Sequence, residues 1–144
     1  MSKKIVITGG LGYIGTELCK IYSGVSWNNT IIVIDNRFIS ERVNQIRNWN
    51  MEFVHGDILD KELIKKHCND ADVVHHLAGI TDVPRTKSES SEEKDNKIKA
   101  VAEEGTQNIL DAISDNCKII FPSTHVVYEG VEKVQNEISE NEEV

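Results

Sequence analysis

The chain has 144 residues, of which 39% are hydrophobic and 28% charged, as expected for one globular domain with its own core. Its net charge of −8, with no basic stripe to offset it, argues against nucleic acid or an anionic membrane as partner. No apolar stretch is long enough to span a bilayer, and the segment 1–4 runs straight into an apolar run, so no signal peptide is expected. Cys19, Cys68 and Cys117 show no Cys-x-x-Cys spacing, which indicates reduced thiols and a cytoplasmic location.

Five apolar runs suit buried parallel strands, and helical patterns lie between them. The runs are 4–8, 30–34, 51–55, 72–77 and 118–121. Strands that alternate with helices predict a doubly wound α/β fold with a parallel sheet, the Rossmann class.

Three helices can be placed from their periodicity and capping signals. After a first glycine-rich turn, Ile14, Leu18 and Ile21 share one stripe, which predicts the buried face of the first helix. Asp60 is expected to cap a short helix that ends near Cys68. Ser90 fits the start of a long helix through a capping box with Glu93. The apolar face predicted for that long helix is Ile98, Val101, Ala102, Gly105, Ile109, Ala112 and Ile113.

The glycine-rich run at 8–15 is the most informative part of the sequence. Gly9, Gly12 and Gly15 are spaced three residues apart, directly after the first apolar run and before the first helix. Such glycines allow a tight turn, the close approach of a pyrophosphate, and close packing of the helix on the sheet. The N-terminus of the helix then offers unpaired N–H groups to phosphates.

Asp35 ends the second apolar run, twenty residues after the last of these glycines. An acid at this place accepts hydrogen bonds from the ribose hydroxyls of a dinucleotide. It favours NAD, because a 2′-phosphate would lie against a carboxylate. The alternative is a tight turn without a ligand, followed by an acid that only caps a strand.

Further stretches match one family in the same order along the whole chain. The glycine run with Asp35 and Asn36 resembles the extended short-chain dehydrogenase/reductases, the NAD-dependent epimerases and dehydratases of nucleotide sugars. The segment 55–58, His-Gly-Asp-Ile, is similar to the family's Gly-Asp step after the third strand, and 76–79, His-Leu-Ala-Gly, to the end of its fourth strand. The segment 121–128 resembles the stretch after the fifth strand that carries a catalytic Ser or Thr.

The resemblance implies an NAD site, a nucleotide-sugar substrate in the complete enzyme, and a role for each matching residue. Thr124 would be the catalytic hydroxyl, and Asp57 would contact the adenine. The cofactor contacts implied in all are Gly9, Gly12, Tyr13, Ile14, Gly15, Asp35, Asn36, Asp57, Ile58, Leu77, Ala78, Gly79 and Thr81. No metal site is expected, because the adjacent His75 and His76 would point to opposite faces of a strand.

Two positions depart from the family pattern. Ala102 stands where the family usually has an Asn near the cofactor. The family's base, a Tyr followed four residues later by Lys, is also missing: the residues four after Tyr13, Tyr22 and Tyr128 are Glu, Ser and Glu. A free phenol with a pKa of about 10 is a poor base at neutral pH.

The sequence is therefore expected to be the N-terminal portion of an epimerase or dehydratase. An NAD-binding domain would occupy 1–131, and 132–144 would be an acidic exposed tail leading to the rest of the enzyme. Because the sheet would be incomplete at its C-terminal side, the strand at 118–121 would present an open edge, which favours self-association. A non-catalytic NAD-binding or sensing module, or a half that pairs with a separately encoded partner, remain the alternatives.

Overall fold

The computed structural model describes residues 2–25, 28–81 and 91–123. Over these ranges, five strands and four helices alternate along the chain. In chain order they are β1 (Lys4–Thr8), α1 (Tyr13–Val25), β2 (Thr30–Asp35), α2 (Ser40–Asn48), β3 (Glu52–His55), α3 (Lys61–Cys68), β4 (Val73–His76), α4 (Glu92–Ala112) and β5 (Lys118–Ile120). None of the four helices combines the length and apolar character that a membrane span requires.

The strands form one parallel sheet in the order β3-β2-β1-β4-β5. β1 is central, and its last residue, Thr8, lies beside Ile34 of β2 and His76 of β4. The order reverses direction between β1 and β4, which opens a crevice at the carboxyl ends of these strands. The predicted doubly wound sheet with five strands is confirmed.

The core has one cluster on each face of the sheet, because successive strand residues point to opposite sides. On one face, Ile7 and Val33 pack with Val43 and Ile46 of α2. The alternate residues of the same strands point to the other face, where they pack against α3 and α4. Ile109 of α4 is fully buried there. The crevice at the carboxyl ends of the strands therefore lies at the edge of a sheet that is covered by helices on both faces.

The predicted buried stripe of α1 is wrong at two of its three positions. Ile14 and Ile21 are 67% and 63% exposed, whereas Gly15 and Cys19 face the sheet. A Cβ at Gly15 would lie 2.6 Å from the Gly9 carbonyl oxygen, so the helix approaches too closely for a larger side chain. The small residues Gly15 and Cys19 therefore face the sheet, and Ile14 and Ile21 point to the exposed side of the helix.

The capping predictions hold for α3 and shift by one residue for α4. The Asp60 side chain accepts a hydrogen bond from the Leu63 N–H, as predicted. For α4, Ser91 caps the helix and accepts from the Lys94 N–H, while Ser90 lies outside the described residues. Val101, Gly105 and Ile109 are buried, but Ala102 of the predicted face is exposed.

The turn after β1 is held against the end of β4 by contact between backbones. Gly9 has a φ of 69°, and a Cβ there would meet the backbone of Leu77 and Ala78 at 2.7 Å. Its N–H donates to the Ile34 carbonyl oxygen of β2 at 2.8 Å. Only glycine tolerates both the positive φ and the lack of room for a Cβ. Gly9 therefore fixes the turn between β2 and β4, the two strands that flank β1.

The two histidines of β4 point to opposite faces, as predicted. His75 Nε2 lies 2.7 Å from the Tyr22 hydroxyl of α1. His76 is buried, and its Nδ1 and Nε2 lie 2.9 and 3.0 Å from the hydroxyls of Thr8 and Thr106. One side chain thus connects β1, β4 and α4 beneath the crevice, and burial lowers the pKa of both imidazoles.

Replacing Gly9 should test the backbone contact. We expect Gly9→Ala to lower the free energy of unfolding by about 2 kcal/mol or more, because the Cβ is strained at positive φ and overlaps backbone atoms. Gly24→Ala is the matched control, since nothing lies within 4 Å of its Cβ position in α1. The control should be neutral or stabilise by up to about 1 kcal/mol in urea titrations. Equal effects of the two substitutions would contradict this packing.

The pH dependence of stability should report on His76. A folded-state pKa below the unfolded value of 6.5 means that unfolding takes up protons around and below that pH. The stabilisation is present above the unfolded pKa and is lost as the pH falls through the folded pKa. We expect the unfolding free energy to fall between about pH 7.5 and about pH 5.5, and His76→Gln to reduce that slope. His75 contributes in the same direction, so part of the slope should remain; a slope unchanged by the substitution would contradict the buried neutral imidazole.

Candidate functional site

One cleft of about 670 Å³ lies at the carboxyl ends of β1, β2 and β4. Its size falls in the range of small-molecule and cofactor sites. All thirteen residues that the sequence singled out as cofactor contacts line it. They are Gly9, Gly12, Tyr13, Ile14, Gly15, Asp35, Asn36, Asp57, Ile58, Leu77, Ala78, Gly79 and Thr81.

The glycine turn supplies the floor of the cleft. The Gly12 N–H donates to the Gly9 carbonyl oxygen at 3.0 Å, which closes the turn just before α1 begins. A Cβ at Gly12 would have only the Gly9 oxygen, at 3.2 Å, and Arg37 Nη2, at 3.9 Å, within 4 Å. Because the first N–H groups of a helix have no partner within it, the start of α1 presents donors and a positive dipole end where Gly12 leaves space.

Asp35 is fixed beside this turn by several hydrogen bonds. Its side chain is 3% exposed, and Oδ2 accepts from the Leu11 N–H at 2.9 Å. Oδ1 accepts from the backbone N–H of Arg37 at 2.9 Å and from its Nε at 3.2 Å. The carboxylate is therefore ordered by the protein at the junction of the turn and β2.

Asn36 and Asp57 pair with each other at the far end of the cleft. The Asn36 amide donates to Asp57 Oδ2 at 2.9 Å, and Asp57 Oδ1 accepts from the Leu59 N–H at 3.0 Å. His55 Nε2 lies 3.0 Å from the Asn36 carbonyl oxygen. Ile58, next to Asp57, is buried against α4, where a Cβ at Gly105 would come within 2.4 Å of its Cδ1. Gly105 thus allows the close packing that the sequence indicated.

The segment after β4 forms the opposite wall. The Leu77 N–H donates to the Thr8 carbonyl oxygen at 3.1 Å, and the Ala78 N–H donates to the Thr8 hydroxyl at 3.3 Å. These bonds continue the parallel pairing past β4 and bring Gly79 and Thr81 to the cleft.

Several lining residues were not among the predicted cofactor contacts. They are Ile34, Arg37, Gly56, His76, Ile80, Val101, Phe121 and Pro122. Arg37 bonds to Asp35, and the rings of His76 and Phe121 lie 5.3 Å apart. A charged residue two positions after Asp35 was the available signal for Arg37.

Four sequence predictions concern residues that do not line this cleft. Thr124, the predicted catalytic hydroxyl, and the tail at 132–144 lie outside the described residues. Ala102 is exposed on α4 and does not line the cleft. β5 pairs with β4 and forms one edge of the described sheet, with Ile120 38% exposed.

Known proteins resemble the chain along nearly its whole length. It is 35% identical over 142 residues to CDP-paratose 2-epimerase of Salmonella typhi, covering 90% of the chain and 39% of that protein. It is 33% identical over 130 residues to UDP-N-acetyl-alpha-D-glucosaminuronate decarboxylase of Bacillus cytotoxicus, covering 89% of the chain and 38% of the relative. The chain thus spans about two fifths of the length of these relatives.

A solved structure shares the fold. It is UDP-glucose-4-epimerase from Stenotrophomonas maltophila with bound NAD and formylated UDP-arabinopyranose, which matches with a TM-score of 0.64 at 23% identity over 88% of this chain and 38% of that one. The model of the 3-beta hydroxysteroid dehydrogenase/isomerase family matches residues 6–144. The chain therefore belongs to this family of extended short-chain dehydrogenase/reductases, as its motifs indicated, and corresponds to the N-terminal portion of its relatives.

Proposed function

We propose that this chain is the NAD-binding portion of an NAD-dependent nucleotide-sugar epimerase or dehydratase. The observation that carries the proposal is that the thirteen contact residues implied by the family resemblance line one cleft at the carboxyl edge of the sheet. The names of the relatives support the enzyme class, since they are an epimerase and a decarboxylase of nucleotide sugars. The epimerase with the matching fold has NAD bound.

The residues of the cleft fit a dinucleotide in a definite order. The space above Gly12 and the N-terminus of α1 suits a diphosphate, which needs N–H donors and no side chain in the way. Asp35 lies where the adenosine ribose would follow, and the Asn36–Asp57 pair would contact the adenine. The wall of Leu77, Ala78 and Gly79 would then lie along the nicotinamide half.

The reaction of the complete enzyme follows from the family. When bound, NAD would supply the hydride acceptor, C4 of its nicotinamide, for the oxidation of a sugar carbon. Thr124 would hold the sugar hydroxyl whose proton is removed by a base. None of the three tyrosines of this chain has a lysine four residues later, so we propose that the chain alone binds the dinucleotide without turning over a sugar.

We further propose that the protein is cytoplasmic and that it forms a homo-oligomer or otherwise self-associates. Cys19 and Cys68 are buried free thiols and Cys117 is a half-buried one, which supports the proposed cytoplasmic location. In the part of the chain that the structure describes, β5 is an edge strand, and an edge strand favours self-association or pairing with a further part of the enzyme. A non-catalytic NAD-binding or sensing module is the alternative to an enzyme portion.

Filling the space above Gly12 tests dinucleotide binding. Gly12→Val should raise the Kd for NAD at least about tenfold in calorimetry, because its methyl groups would take the place of the diphosphate. The unfolding free energy should also fall, by about 1 kcal/mol, because the new Cβ lies 3.2 Å from the Gly9 carbonyl oxygen, which must shift slightly. Gly24→Val, at the far end of α1, is the matched control and should leave the Kd unchanged. Unchanged NAD binding by Gly12→Val would contradict the site.

Turnover assays test the role of the chain alone. With NAD and a panel of UDP- and CDP-sugars, we expect neither epimerised product nor the absorbance of reduced nicotinamide, because no lysine-assisted phenol is present. Sugar turnover by the purified 144-residue chain would contradict the proposal that catalysis needs a further part of the enzyme.

A further inference from the structure

The Asp35 carboxylate already accepts hydrogen bonds from four N–H groups. Two come from the backbone of Leu11 and Arg37, each at 2.9 Å. The other two come from the Arg37 side chain, with Nε 3.2 Å from Oδ1 and Nη2 3.4 Å from Oδ2. A carboxylate has about four acceptor positions, so the guanidinium occupies those that ribose hydroxyls would use.

The Arg37 guanidinium lies between the acid and the glycine turn. Its Nη2 comes within 3.9 Å of the position of a Gly12 Cβ, on the floor of the cleft. The Arg37 side chain is 55% exposed, whereas that of Asp35 is 3% exposed. An exposed arginine on a buried acid can move away without leaving its own charge in a desolvated place.

We propose that Arg37 determines which dinucleotide the cleft prefers and makes it accept NADP as well as NAD. The proposal rests on the function proposed above. With the guanidinium on Asp35, the ribose pocket is neutral and offers a planar fork of donors to a 2′-phosphate. When the guanidinium moves away, the carboxylate is free to accept from the ribose hydroxyls of NAD.

Electrostatics gives the two dinucleotides opposite dependence on Arg37. A 2′-phosphate beside an unpaired Asp35 would meet like charge in a partly desolvated cleft, which is costly. Arginine binds phosphate through two parallel hydrogen bonds, so its presence reverses that repulsion. NAD gains nothing from the guanidinium and must displace it, so Arg37 weakens NAD binding.

Calorimetric titration of the 144-residue chain with NAD and with NADP tests the proposal. The parent chain should bind both, with Kd values within about tenfold of each other. Arg37→Met should weaken NADP binding at least about tenfold and leave NAD binding unchanged or tighter. Arg37→Lys, which keeps the charge without the fork, should fall between. Arg47→Met removes the same charge from the exposed last turn of α2 and should change neither Kd.

The outcomes separate this proposal from the one on which it rests. NAD binding by the parent with no measurable NADP binding would overturn the role of Arg37 and leave the proposed function standing. An NAD-to-NADP preference that Arg37→Met and Arg37→Gln both leave unchanged would do the same. Failure of the parent chain to bind either dinucleotide would overturn both proposals.

Discussion

The backbone contact between Gly9 and the end of β4 is the constraint on which the cleft depends. The Gly9 turn is held on one side by the Ile34 carbonyl oxygen and on the other by the backbone of Leu77 and Ala78. This contact brings the three segments after β1, β2 and β4 together without any intervening side chain. Gly15, in the first turn of α1, also leaves no room for a Cβ, because one would overlap the Gly9 carbonyl oxygen. This close contact sets the distance between α1 and the turn. Tight packing here creates the open space above Gly12.

The two carboxylates of the cleft, Asp35 and Asp57, already have hydrogen-bond partners within the protein. Asp35 is paired with Arg37, and Asp57 accepts from Asn36 and from a backbone N–H. In the wall of the cleft, the buried His76 lies between two threonine hydroxyls, and its burial lowers the imidazole pKa and so favours the neutral ring. A ligand therefore exchanges hydrogen bonds with ordered groups, and its affinity depends on how well it replaces them.

Much of the fold, the glycine turn and Asp35 could be predicted from sequence because their signals are local, whereas Asp57 and the wall at 77–81 were implied by resemblance to a family. Apolar runs of strand length, the three glycines and the spacing to Asp35 each reflect a short-range geometric need. The face of α1 could not be predicted in this way, since Ile14 and Ile21 are outward only because Gly15 packs on the turn. Arg37 was missed for a related reason: its position depends on a side-chain hydrogen bond back to Asp35, which periodicity does not report.

The central claim is that the start of α1 and the end of β2 together bind a dinucleotide. A crystal structure of the chain with NAD tests it most directly. The account predicts the diphosphate within hydrogen-bonding distance of the N–H groups that follow Gly12, and the adenosine ribose beside Asp35 with the guanidinium of Arg37 moved away. A dinucleotide bound elsewhere on the chain, or a cleft that stays empty at saturating NAD, would contradict it.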